Sequence, residues 1–122
     1  MTTKFKNYKD LDIWKKAFAF SLMIFDLCKK ISYNQVNKTL INQIIRSVTS
    51  IAGNIAEGCG APTKRDFINY LNHARKSAIE TDNWLLFIFN TNKVSKHSKE
   101  LLKGKSVEII KILTTIIKNT KK

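Results

Sequence analysis

One proline and four glycines in 122 residues leave this chain few places to turn. That scarcity argues against a fold of many short strands and loops and favours a few long helices. Two cysteines are too few for a disulfide scaffold, and Cys28 sits in an apolar run where a reduced, core-filling thiol is expected. No apolar run is long enough to span a bilayer: the longest, Ala17 to Leu27, contains Ser21 and Asp26. The opening residues, Met1 to Asp10, lack the apolar core of a secretory leader, so a cytoplasmic protein with no membrane role is expected. His73 and His97 lie far apart, and neither has a cysteine or carboxylate partner at ligand spacing, so neither metal nor cofactor is expected.

Acids are also scarce, nine against 22 lysines and arginines, which leaves a formal net charge of +13. Such a charge attracts polyanions and steers acidic partners. It is concentrated at the ends of the chain. Residues 1–38 carry eight lysines against three acids and residues 93–122 nine lysines against two acids, whereas residues 39–63 are neutral.

The 43% hydrophobic content suffices for one domain with its own core, spanning residues 1–122. Apolar residues recur at helical spacing in four segments. The first runs from about Asp10 to Ile31, with Leu11, Trp14, Phe18, Leu22 and Phe25 as its stripe and Ala17, Phe20, Ile24 and Leu27 widening it. After a loop over Ser32–Asn37, the second runs from Thr39 to Gly58 through Ile41, Ile44, Ile45, Val48, Ile51 and Ile55. The third, Lys64 to Asn90, follows the stop signals Gly58, Gly60 and Pro62 and opens on Thr63, an N-cap with Asp66 three residues on. The fourth, Ser98 to Asn119, has Ser98 as its cap and a weak point at Gly104. Four amphipathic helices joined by short loops predict an all-α, antiparallel up-and-down four-helix bundle.

The glycines between Ser50 and Thr63 are helix punctuation. Gly53 and Gly58 have Walker A spacing, but Cys59 stands where lysine is required and no strand precedes it. Gly53 is read as permitting close helix contact. More informative are Arg46, Ser50, Asn54 and Glu57, which form one polar stripe on the second helix, and Ser77 and Glu80 on the third. Two readings stand side by side. One is a structural polar network fixing helix register, for example Arg46 to Glu80 and Asn54 to backbone. The other is a binding seam. Glu57 and Glu80 as paired carboxylates would suggest acid–base work, but Arg46 on the same stripe favours an ion pair, and no enzymatic activity is expected. Trp14 and Trp84 read as core or subunit-interface residues.

Several blocks resemble a known family. Tyr8-Lys-Asp-Leu-Asp-Ile-Trp-Lys-Lys-Ala17, Gln43-Ile-Ile-Arg46 followed by Ser50-Ile51, Asn54-Ile-Ala-Glu-Gly58 and Ala74-Arg-Lys-Ser-Ala-Ile-Glu80 are similar to the proteins named after intervening sequences in 23S ribosomal RNA genes. The likeness covers nearly the whole chain, and Asn-Ile-Ala-Glu-Gly is its most specific part. It implies a left-handed bundle, assembly into a homopentameric ring and a bacterial setting. Related accessory proteins of diversity-generating retroelements share this architecture and bind nucleic acid and a reverse transcriptase through basic surfaces. Two positions depart from the pattern: Ile45 replaces the first of two usual arginines, and Ala52 a common proline. The first departure weakens a phosphate grip by the second helix itself.

The lysines carry the functional reading. At about 100° per residue, Lys96, Lys99, Lys103, Lys111, Lys118 and Lys121 share one broad face of the fourth helix, with Lys105 the exception. Lys15 and Lys16 add charge on the first. The same face also reads as an ordinary solvated surface. Few arginines and few exposed aromatics predict binding of RNA or DNA by shape and charge rather than by base readout. The competing expectation is a protein–protein scaffold whose charge serves solubility or an acidic partner.

Overall fold

The computed structural model describes residues 7–121. Met1–Lys6, part of the stretch read above for a leader, and Lys122 lie outside the described residues. A 3-10 turn at Tyr8–Asp10 precedes four helices: α1 (Asp12–Lys30), α2 (Gln35–Cys59), α3 (Lys64–Thr91) and α4 (Lys96–Lys121). No strand occurs among the described residues. Each helix packs against its two neighbours in a ring, α1–α2–α3–α4–α1, and the diagonal pairs make no close backbone approach.

The cross-helix contacts show the alternation of direction. Along α2, Gly58, Ser47 and Asn37 meet α3 at Phe67 and Tyr70, at Thr81 and at Asn92 just past its end. One number falls as the other rises. On the other side of α3, Arg75 reaches Thr114 and Asp82 reaches Ser106 and Lys103 of α4. The expected antiparallel succession is therefore present at both of these interfaces.

The helix ends follow local chemistry. Thr63 caps α3 as expected: its Oγ1 accepts from the Asp66 amide at 3.1 Å and donates to the Asp66 carboxylate at 2.8 Å. Two starts lie earlier than expected. Asn34 caps α2, its side chain accepting from the Asn37 amide at 2.8 Å, so the second half of the stretch read as a loop, Gln35 to Asn37, is helix. Ser95, rather than Ser98, caps α4 by accepting from the Ser98 amide at 3.1 Å. Both caps sit in polar stretches that lack an apolar stripe, so periodicity alone placed the boundaries too late. At the end of α2 no residue adopts a left-handed conformation; Gly60 has φ −90°. The chain leaves instead through short i→i+3 bonds, Gly60 to the Glu57 carbonyl and Ala61 to the Gly58 carbonyl. Gly104 does not interrupt α4.

The core is built from Ile13, Ala17, Phe20, Ile24, Leu27 and Cys28 of α1 and Leu40, Ile44, Val48, Ile51 and Ile55 of α2. Leu71, Ala74, Ala78, Leu85 and Ile88 of α3 and Leu102, Ile109, Leu113 and Ile117 of α4 complete it. In α1 this reverses the expected emphasis. The residues read as widening the stripe are the buried ones, while Phe18 and Leu22 are 46% and 47% exposed. Close helix contact is made by Gly58, not Gly53. A Cβ on Gly58 would lie 3.2 Å from the Tyr70 Cβ and 3.4 Å from Phe67 Cδ1, whereas one on Gly53 would meet nothing within 4 Å.

Candidate nucleic-acid interface

The buried stripe of α4 is Leu102, Ser106, Ile109, Leu113 and Ile117. Measured from its centre at about 100° per residue, the lysine face divides. Lys111 and Lys118 point to solvent and are exposed, as is Lys96 near the start of the helix. Lys99, Lys103 and Lys121 fall on the flank turned towards α3; the first two are half-buried and Lys121 is exposed. Of these, Lys103 is tied down. Its Nζ lies 2.8 Å from both Asp82 carboxylate oxygens, and Ser106 Oγ donates to Asp82 Oδ1 at 2.8 Å. The positive charge of the α4 face is offset by Glu100, exposed at the same helical angle as Lys118, and by Asp82, which α3 supplies across the interface. On α1, Lys15 and Lys16 are exposed, and Lys16 Nζ lies 3.4 Å from Glu108 Oε2. With both side chains over 40% exposed, that pair adds little to stability.

The first half of α3 adds bases that the sequence reading left out. Because α3 runs antiparallel to α4, Lys64, Arg65 and Arg75 come to lie beside the end of α4. Asn72, Arg75, Thr114, Ile117, Lys118 and Lys121 line one open recess of ≈ 560 Å³ between the helices. A second recess, lined by Lys64, Arg65, Ile68, Asn69 and Lys121, shares Lys121 with it. No acid lines either one. A signal was present in α3: Lys64, Ile68, Arg75 and Asp82 are spaced by four, seven and seven, which places them on one strip. Its meaning depends on which helix that strip faces.

The polar stripe on α2 stands on the outer flank. Arg46 and Glu57 are exposed, and Ser50 and Asn54 are half-buried. Its hydrogen bonds stay within the helix: Ser50 Oγ donates to the Arg46 carbonyl and Asn54 Nδ2 to the Ser50 carbonyl, both at 2.8 Å. The expected Arg46–Glu80 pair is not among the ion pairs of the described residues, and Glu80 is exposed. Ser77 is buried, with its carbonyl accepting from Thr81 Oγ1 at 2.8 Å. The buried polar contact between α2 and α3 lies one position from the stripe, where Thr81 Oγ1 and Ser47 Oγ are 2.9 Å apart. A one-residue shift rotates a helical side chain by about 100°, enough to move a stripe from interface to solvent.

Across the bundle from the basic recesses, an apolar strip follows the outer side of α1 and its groove with α2. Trp14 stacks on Phe18 with centroids 5.0 Å apart, and Tyr8 meets Trp14 edge-on at 5.2 Å. Phe25, Cys28, Lys29, Ile41 and Ile45 line the groove between the two helices.

Among the described residues, no group of three or more His, Cys, Asp or Glu side chains is placed to hold a metal. No helix among them is long and apolar enough to cross a membrane. Burial pushes the Cys28 thiol up to about 11 and raises that of Cys59, so neither is held as a thiolate near neutral pH.

Comparison with known proteins agrees with this architecture. Residues 9–115 match the family described as 23S rRNA-intervening sequence protein. A crystal structure of a protein of unknown function, from the S23 ribosomal protein family of Bacteroides thetaiotaomicron, is 37% identical. The match covers 87% of this chain and 95% of that one, with a TM-score of 0.75. A comparison with curated proteins finds no match. The chain belongs to the 23S rRNA-intervening sequence protein family.

Proposed function

We propose that this member of the 23S rRNA-intervening sequence family is a non-enzymatic, self-associating cytoplasmic bundle that binds RNA or DNA through phosphate contacts. It acts as an accessory in an RNA or reverse-transcription assembly. The observation that carries this reading is the convergence of Arg65, Arg75, Lys118 and Lys121 on recesses lined by no acid. Guanidinium and ammonium groups on one side of a bundle, with amides and a hydroxyl between them, suit a phosphodiester backbone and offer no base-edge code. The family's description makes RNA the first ligand to try. Exposed Phe18, stacked on Trp14, and exposed Leu22 one turn further along α1 supply an apolar face for assembly with further copies, and the family resemblance sets the expected number at five. Assembly through that face leaves the basic recesses outward and repeats them by symmetry.

The test is a salt titration of binding to a single-stranded RNA and to duplex DNA of arbitrary sequence, read by fluorescence anisotropy. With about four phosphates neutralised per subunit, log K falls with log salt at a slope near −3 to −4. No binding at low salt, or a flat response, overturns the reading. Light scattering reports the assembly, and a monomer at micromolar concentration removes the ring. The apolar α1–α2 face also favours a second reading, a scaffold for protein partners. Assembly without any nucleic-acid affinity would select it.

A further inference from the structure

Arg75 Nε donates to Thr114 Oγ1 at 2.8 Å, and Thr114 Oγ1 in turn donates to the Ile110 carbonyl at 2.8 Å. The hydroxyl is thus both acceptor and donor, and its rotor is set. This bond crosses from α3 to α4 and uses only the inner nitrogen of the guanidinium. Nη1 and Nη2 make no hydrogen bond to any described residue, and the side chain lines the recess shared with Asn72, Lys118 and Lys121. The nearest acid along the same strip of α3, Asp82, is already neutralised by Lys103. A guanidinium held by Nε with its terminal edge unoccupied is a preorganised fork for two oxygens of one phosphate. A flexible lysine must be ordered when it binds; Arg75 already has its Nε placed by Thr114.

We infer that Arg75 is the phosphate-gripping residue of this surface, held in position by Thr114, and that Lys118 and Lys121 supply surrounding charge. The inference rests on the nucleic-acid reading for the source of the phosphate, though not for its chemistry. The ligand is a phosphodiester or phosphate anion; an acidic peptide, whose carboxylates are dispersed on flexible side chains, fits the fixed fork less well.

The experiment compares the wild type with Arg75→Lys, Thr114→Val and Thr114→Ser. All four are checked for helicity and melting temperature. Two probes are used: a 20-nucleotide single-stranded RNA read by anisotropy, and sodium tripolyphosphate read by the Arg75 Nε–H resonance. Arg75→Lys keeps the charge and loses the fork, and is expected to weaken RNA binding about tenfold, the effect of one charge-assisted contact. Thr114→Val keeps all charges and frees the guanidinium, with an expected loss of about three- to fivefold from ordering one long side chain. Thr114→Ser restores the acceptor and binds like the wild type. A merely structural role for Thr114 would lower the melting temperature without this pattern of affinities.

If the wild type binds RNA and the Lys and Val variants bind equally well, the inference falls and the nucleic-acid reading stands. If tripolyphosphate shifts the Arg75 resonance but RNA does not bind, the phosphate fork stands and the nucleic-acid reading falls. If neither probe binds, both are overturned.

Discussion

Asn37 and Asn92 exchange two hydrogen bonds across 55 residues of sequence: Asn37 Nδ2 donates to Asn92 Oδ1 at 2.9 Å, and Asn92 Nδ2 donates to Asn37 Oδ1 at 3.0 Å. Asn37 is 2% exposed, and its side-chain amide also donates to the Ser32 carbonyl at 2.7 Å. One side chain therefore joins the α1–α2 loop, the first turn of α2 and the residue that ends α3. A buried amide with its partners in place confers specificity, and a half-emptied one is costly. Asn37→Ala is expected to destabilise the bundle by about 2–4 kcal/mol, read as a lower urea midpoint with helix content retained below the transition. A double-mutant cycle with Asn92→Ala should show coupling of about 1–2 kcal/mol. Independent effects would mean that the pair does not act as a unit.

The glycines should divide by what surrounds them. Gly53 and Gly104 lie in helices where an added methyl would have no atom within 4 Å, so Gly53→Ala and Gly104→Ala are each expected to stabilise by about 0.5–1 kcal/mol. Gly58→Ala gains the same backbone term but presses on the Tyr70 Cβ, which is fixed to the α3 backbone. Overpacking there outweighs the gain, and a net loss of about 1 kcal/mol is expected. Thermal melts should rank Gly53→Ala above the wild type and Gly58→Ala below it; a stabilised Gly58→Ala would show that α2 and α3 have room to part.

Asp82→Asn should move stability and binding in opposite directions. It removes the charge that holds Lys103 but leaves an amide for Ser106, and the pair is partly exposed, so a loss of about 1 kcal/mol is expected. Releasing Lys103, on the same flank of α4 as Lys121, should tighten RNA binding about two- to fivefold at low salt. Parallel changes in both measurements would show that Lys103 acts only through the fold.

Cys28 predicts an alkaline limb to the stability curve. Burial raises its thiol from an ordinary 9.0 to about 11, so between those values the unfolded chain ionises while the folded chain does not. The unfolded state then binds fewer protons, and stability falls with rising pH by up to about 1.4 kcal/mol per unit. Below pH 9 the thiol is protonated in both states and the contribution is intact. Urea unfolding from pH 8 to 10.5 should show a steeper decline for the wild type than for Cys28→Ala, which differs from it only in the thiol. Equal slopes would mean that the thiol is hydrated in the folded state.

How far the candidate site was legible differs from residue to residue. Lys111, Lys118 and Lys121 could be named because one helix face is a matter of counting. Arg65 and Arg75 could not, because their value lies in standing beside α4, and no spacing within α3 says which neighbour a flank will meet. Arg46 and Glu57 illustrate the opposite error. They form a true stripe, but it lies one position from the buried contact made by Ser47 and Thr81. In α1, two apolar rows at helical spacing compete, and periodicity cannot choose between them. Phe20 and Ile24 are inside and Phe18 and Leu22 outside, and Ser21, on the inner side with them, lies 3.2 Å from the Val48 carbonyl of α2.

From the sequence alone came the four helices, their number and order, the Thr63 cap, the stop at Pro62 and the excess of positive charge. All of these depend on residues within one or two turns of each other, or on composition, and need no neighbour to be defined. The tertiary structure decided which apolar row of α1 is buried, that Asp82 quenches Lys103, and that Thr114 holds Arg75. These depend on the register between helices, set by packing among residues tens of positions apart, where a shift of a single residue turns a side chain from core to solvent.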